Sequence, residues 1–231
     1  MFKKIVLIAS FFLVFTTLSG SYDRIDATTR ANALSASNFK KEAMLFDEGE
    51  YALSAYDNLF RSISQSEGTD WRLMSAIAYH ESRFMPNLES PRGARGLMQI
   101  MPHVARQFNV EAEELNDPET NITVANKLWK MIASMMKIPS SASEEDRLAL
   151  VLAAYNGGVG HIADARRLAK AHGEDPNSWE SVAHYLKLKA DPAYYGHEVV
   201  KYGRFMGSGE TVAYVNDVRD RYARYCRRVQ K

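Results

Sequence analysis

The chain has 231 residues and is 46% hydrophobic, 25% charged and 11% aromatic, a balance that excludes an unfolded polar polymer and supplies a sizeable core. Its formal net charge of +1 is too close to neutral for general nucleic-acid binding, which rests on Lys and Arg neutralising phosphates. With Cys226 as its single cysteine it has no internal disulfide, so the core must hold the fold.

In chain order, the first element is a targeting segment. Lys3 and Lys4 precede an apolar run, Ile5 to Leu18, and the small residues Ser19, Gly20 and Ser21 follow. Positive start, apolar stretch and small-residue cleavage site are the order of a secretory signal, expected over residues 1–21. The run of about 14 residues is shorter than the roughly 20 that cross a bilayer. No cysteine lies near the cleavage region, so there is no thiol for a lipoprotein anchor. The expected location is therefore exported and periplasmic, and loss of Lys3 and Lys4 takes the net charge from +1 to −1.

Residues 22–50 are polar and rich in Ala and Ser, as in a spacer. From 51 to 231 the chain reads as one catalytic domain. Tyr51, Leu53, Tyr56, Leu59, Phe60 and Ile63 favour one helical face, broken at Gly68. Asp70 is suited to cap a second helix containing Trp71, Met74, Ala78 and Glu81, with its end expected near Phe84 to Met85 because Pro86 disfavours helical geometry before it. A Gly-rich loop (Ser90 to Gly96) precedes an expected helix from Leu97 to Phe108, with Pro102 near its start. Further helices are predicted from Asp117–Pro118 to Met136, from Ser143 through Leu148 to Tyr155, from Val159 to Ala171, from Trp179 to Leu188, and from Val212 to the C-terminus. No two-residue alternation and no repeat interrupts them, so the fold class is all-α.

Three segments carry the chemistry. Glu81 lies near the C-terminal end of its helix on the face of Trp71, Met74 and Ala78, where the helix dipole and partial desolvation favour a neutral acid able to donate a proton. Gly93 to Ile100 combines small residues with Gln99, whose amide offers both a donor and an acceptor to a sugar. Ala154-Tyr155-Asn156-Gly157-Gly158 sets an aromatic ring and an amide at a helix end, where they can stack on and hydrogen-bond a carbohydrate. Each segment alone has an ordinary explanation: a solvated acid, a loop with Met98 in the core, an Asn-Gly helix stop.

Taken in order, Glu81-Ser82, Ser90, Gly93-Ala94 with Gly96-Leu97-Met98-Gln99-Ile100-Met101-Pro102, and Ala154-Tyr155-Asn156 resemble the motif set of the soluble lytic transglycosylases, a goose-lysozyme-like family. Downstream, Ser178-Trp179, Tyr185-Leu186, Tyr194-Tyr195, Val200 with Tyr202-Gly203, and Glu210 with Tyr214-Val215 are similar to the catalytic module of the membrane-bound lytic murein transglycosylase F group. The similarity runs from about Leu53 to Tyr222, and the chain is too short to include the solute-binding-like module that precedes catalysis in that group. The resemblance implies a lysozyme-like single catalytic domain, with Glu81 as the catalytic acid and base. It places Ser90, Gln99, Met101, Tyr155, Asn156 and Tyr195 as substrate-binding residues along a cleft for peptidoglycan glycan strands. It also implies non-hydrolytic cleavage of the bond between N-acetylmuramic acid and N-acetylglucosamine, closing a 1,6-anhydro ring. Most glycosidases use two carboxylates; here Glu89, a loop acid, and Asp117, a helix cap, are the other candidates. A lysozyme-type hydrolase and a non-catalytic glycan-binding component are the competing functions.

Other signals point elsewhere. His80-Glu81 lacks the second histidine of a zinc-protease helix because Phe84 stands there. The six histidines have no ligand spacing, so neither a metal nor another cofactor is expected. Arg219, Arg221, Arg224, Arg227, Arg228 and Lys231 read as a solvated helix face, with attraction to acidic wall or membrane surfaces as the functional alternative.

Overall fold

The computed structural model describes residues 52–229, and over them the chain is all α. The elements are α1 (Asp57–Glu67), α2 (Trp71–Ser82), α3 (Pro102–Ala105), α4 (Pro118–Met136), α5 (Glu144–Gly157), α6 (Val159–Ala171), α7 (Trp179–Leu188), α8 (Pro192–Tyr195) and α9 (Ser208–Arg228), with 3-10 turns at Arg106–Phe108 and Glu113–Asn116. The expected leader and spacer lie outside the described residues.

The described chain forms two compact units, one of residues 52–126 with 220–229, the other of residues 127–219. In the first, Phe60, Trp71, Met74, Ile77, Leu97, Met98, Ile100, Leu115 and Ile122 are buried, and α1 packs along α2. The second buries Leu150, Leu152, Ile162, Leu168, Val182, Leu186, Phe205 and Tyr214, with α6 and α7 packed together. Burial of such side chains is the main driving force for each unit, worth about 1.5–3 kcal/mol apiece.

Local chemistry sets the helix ends. The Asp70 carboxylate accepts the Arg72 N–H at 3.0 Å and starts α2. Ser143 caps α5 by accepting the Asp146 N–H at 3.0 Å, with Glu144, Glu145 and Asp146 at the positive end of the helix dipole. Gly68, at φ 71°, closes α1 in the left-handed conformation that glycine adopts without strain.

Several expected boundaries are corrected; the last helix, for one, begins at Ser208 rather than Val212. Tyr51 lies outside the described residues, and the first helix, expected over Leu53 and Tyr56, begins only at Asp57, because the buried Asp57 carboxylate takes the N–H groups of Ala52, Leu53 and Ser54 at 2.8–2.9 Å and folds that segment into a turn. The second ends at Ser82 rather than near Phe84, because Arg83 and Phe84 both take positive φ (55° and 62°). Leu97 to Met101 is a tight turn rather than helix: Gln99 sits at φ 48°, and Arg95 and Ile100 exchange backbone hydrogen bonds at 3.0 Å. Helix resumes only at Pro102, whose missing N–H is harmless at that first position.

Candidate active site

In the first unit, α2 delivers Glu81 one residue before its end, half-buried. Its neighbour Ser82 is buried, and the Ser82 hydroxyl lies 2.8 Å from the Leu97 carbonyl and 3.2 Å from that of Ala78. The hydroxyl therefore ties the end of α2 to the turn that carries Gln99. Ser82→Ala leaves the buried Leu97 carbonyl without this donor, and the expected cost is about 1–2 kcal/mol in denaturant unfolding. A loss under about 0.3 kcal/mol would show that the tie is dispensable.

The turn is locked from its other side. Asn121, fully buried on α4, accepts the Met98 N–H at 2.8 Å and donates to the carbonyls of Arg95 and Leu115 at 2.9 Å. Gly96 is glycine for this reason: a Cβ there would stand 2.3 Å from the Asn121 amide nitrogen and 2.5 Å from the Leu115 carbonyl. The close approach that the small residues permit at Gly96 is thus to the protein's own chain. Gln99 is buried, and its Nε2 donates to the carbonyls of Leu88 (2.9 Å) and Gly96 (3.1 Å). Among the described residues its Oε1 accepts no hydrogen bond from the chain, so the amide has only its acceptor to offer outward. The Ser90 hydroxyl accepts the Ala94 N–H at 3.0 Å and closes the preceding loop. Met101, partly exposed, is the extended residue before α3.

In the second unit, the last turn of α5 carries Tyr155 and Asn156, both buried, and the Tyr155 ring lies tilted against Trp129 on α4 at 6.3 Å between ring centres. The Asn156 Oδ1 accepts the Thr211 hydroxyl at 2.9 Å. Tyr195 ends the short helix α8 and is half-exposed. The candidate residues therefore divide between the units, with Glu81, Ser90, Gln99 and Met101 on the first and Tyr155, Asn156 and Tyr195 on the second.

A buried ionic cluster joining α6 to Lys189 and the 201–202 segment escaped the sequence reading. Asp164 and Lys189 are fully buried and 2.7 Å apart, and Arg167 also pairs with Asp164. The same carboxylate accepts the N–H groups of Lys201 and Tyr202 at 2.8 Å, which fastens the 201–205 segment to α6. Burial raises the Asp164 carboxyl, but the hydrogen bonds from Lys189, Lys201 and Tyr202 outweigh it and hold the group below its ordinary range. His161 faces Lys189 at 3.0 Å and Phe205 at 4.6 Å between rings; burial, aided by the Lys189 charge, pushes it down to about 4. Between about 6.5 and about 4 the unfolded chain protonates this histidine while the folded chain does not, so stability falls on acidification through that window. Thermal melts at pH 7 and pH 5 are expected to differ, and His161→Gln is expected to shrink the difference. An unchanged difference in that variant would assign it to other groups.

Two of the C-terminal basic residues are engaged rather than merely solvated. The Arg221 guanidinium stacks 3.4 Å from the centre of the Tyr79 ring, and Arg219 pairs with Glu145 at 3.4 Å. Among the described residues no three of His, Cys, Asp or Glu converge as a metal site, and no helix is long and apolar enough to cross a membrane.

This arrangement can be set beside known proteins. Membrane-bound lytic murein transglycosylase F of Marinobacter nauticus is 38% identical over 173 residues, which cover 75% of this chain and 33% of that protein. Its counterpart in Alcanivorax borkumensis is 37% identical over 170 residues, covering 74% of this chain and 35% of its own length. The chain thus spans about a third of the length of the curated relatives it matches. The crystal structure of the 70 kDa soluble lytic transglycosylase of Escherichia coli aligns with a TM-score of 0.50 at 27% identity, over 74% of this chain and 24% of that one. The fold is accordingly the lysozyme-like one expected. A family model, the transglycosylase SLT domain, matches residues 58–177, more than half of the sequence, and the chain belongs to that family.

Proposed function

We propose that this protein is an exported peptidoglycan lytic transglycosylase in which Glu81 is the single catalytic acid and base. The observation that carries the reading is the seat of Glu81: half-buried at the end of α2, beside a serine that pins the helix to the Gln99 turn. Membership of the transglycosylase SLT domain family and the likeness to lytic murein transglycosylases support it. Residues 1–21 serve as the leader, 22–50 as a spacer and 51–231 as the catalytic domain, acting in the periplasm on glycan strands.

In the proposed reaction Glu81 gives its proton to the oxygen that links N-acetylmuramic acid to N-acetylglucosamine. The C1–O bond breaks, and N-acetylglucosamine leaves with a free 4-hydroxyl. The substrate's N-acetyl group stabilises the cationic C1 that remains. Glu81, now a carboxylate, takes the proton of that sugar's own C6 hydroxyl, and O6 bonds to C1 to close the 1,6-anhydro ring. The acid is regenerated and no water is consumed, so one carboxyl group serves both steps. The proposed substrate contacts are Ser90, Gln99 and Met101 in the first unit and Tyr155, Asn156 and Tyr195 in the second. Gln99 offers its carbonyl oxygen to a substrate donor, and Tyr155 offers an aromatic surface to a sugar ring.

The test is digestion of purified peptidoglycan by the full chain, with the products read by mass spectrometry. Muropeptides ending in anhydro-N-acetylmuramic acid are expected. Reducing ends would make the protein a hydrolase, and binding without release would make it a glycan-binding component.

A further inference from the structure

Asn156 is held by a residue outside the three motif segments. Thr211, in the first turn of α9 and 1% exposed, donates its hydroxyl to the Asn156 Oδ1 at 2.9 Å. This contact joins residues 55 apart in sequence inside the unit of residues 127–219. It depends on Gly157, where a Cβ would lie 3.0 Å from the Thr211 hydroxyl and 3.2 Å from the Phe205 ring. Upstream, the Phe205 N–H donates to the Lys189 carbonyl at 3.1 Å, and Asp164 holds Lys201 and Tyr202. Chain 201–211 is thus anchored at one end by a buried carboxylate and clasps the Asn156 amide with the other.

The two ends of an Asn amide are nearly the same size and differ in chemistry, one accepting and one donating. A hydroxyl fixed on Oδ1 decides which end is left for a ligand. Among the described residues the Asn156 Nδ2 donates no hydrogen bond to the chain. We propose that Thr211 is a positioning residue that sets the rotation of the Asn156 amide, so that Asn156 presents an N–H donor to an oxygen acceptor of the glycan, a carbonyl or a hydroxyl. The proposal rests on the reading of Asn156 as a substrate contact and adds its polarity and the group that enforces it.

The test is a double-mutant cycle on release of soluble products from purified glycan strands, with melting temperatures recorded for every variant. Thr211→Val removes the hydroxyl at nearly constant shape and is expected to lower kcat/KM by about tenfold, mostly through KM, the scale of one oriented hydrogen bond. Thr211→Ser keeps the donor and restores activity to within about threefold of the parent. In an Asn156→Ala background, Thr211→Val brings no further loss, because the group it orients is gone. Asn156→Asp keeps the oxygen facing Thr211 but turns an acceptor toward the ligand, and loses as much activity as Asn156→Ala. Should Thr211→Val fold poorly, Thr211→Ala makes the same comparison without the branched methyl groups. Equal losses from the Thr211 change in both backgrounds would mark a structural role and overturn the proposal, as would an Asn156→Asp variant of parental activity. An Asn156→Ala variant of full activity would instead take Asn156 out of the substrate contact and sink the underlying reading.

Discussion

Glu81→Gln is expected to leave the melting temperature of the protein within a few degrees of the parent while its release of muropeptides falls by at least about a thousandfold. The substitution keeps the size and shape of the side chain and removes only its capacity to give and take a proton. A positioned general acid or base contributes about a hundredfold to ten-thousandfold. Here the same group serves bond cleavage and ring closure in turn, so its loss strikes both steps. Glu89, on an exposed loop and 3.5 Å from Arg95, and Asp117, which accepts the Thr120 N–H at 2.8 Å as a helix cap, already have structural work. A variant retaining more than a tenth of parental activity would mean that another group carries the proton.

Asp164→Ala carries the largest expected penalty to stability. It leaves the Lys189 ammonium, 0% exposed, without its carboxylate, and it strips the N–H groups of Lys201 and Tyr202 of their acceptor. Breaking one side of a buried pair costs about 3–5 kcal/mol, because the remaining charge stays out of water. Urea unfolding of the variant is expected to show a loss in that range. Pairing the change with Lys189→Met removes the stranded charge and is expected to recover part of it. The recovery is incomplete because Arg167 and the two N–H groups still lack the carboxylate. A single-variant loss below about 1 kcal/mol would mean that water reaches the cluster and that its burial is not what holds the 201–205 segment.

Where local chemistry decides, residue pattern and structure agree. Helices α6 and α7 run between the residues expected, Val159–Ala171 and Trp179–Leu188; Gly158 and Gly173, both at positive φ, bound the first, and Ser178, in extended backbone, starts the second. The turn at 97–101 was illegible for a physical reason: Leu97, Met98 and Ile100 are buried, and apolar character alone does not separate a buried helix from a buried turn. What decides is Asn121, arriving from α4 to bond Met98 and Arg95, a contact that no local window contains. The motif residues were legible by type, but the use of their atoms was not. Gln99 spends its donor inward, and Asn156 spends its acceptor on Thr211. The Asp164 cluster left one faint sign, an acid set among Ile162, Ala165 and Leu168 on the inward face of α6; its partner Lys189 lies 25 residues away.

The central claim is that ring closure within the substrate, driven by Glu81, replaces attack by water. Digesting peptidoglycan in water enriched in heavy oxygen tests this directly, since a hydrolase must place one solvent oxygen on each new sugar end. Product ends are expected to carry no label and to weigh one water less than reducing ends. Labelled reducing ends as the main product would contradict the account.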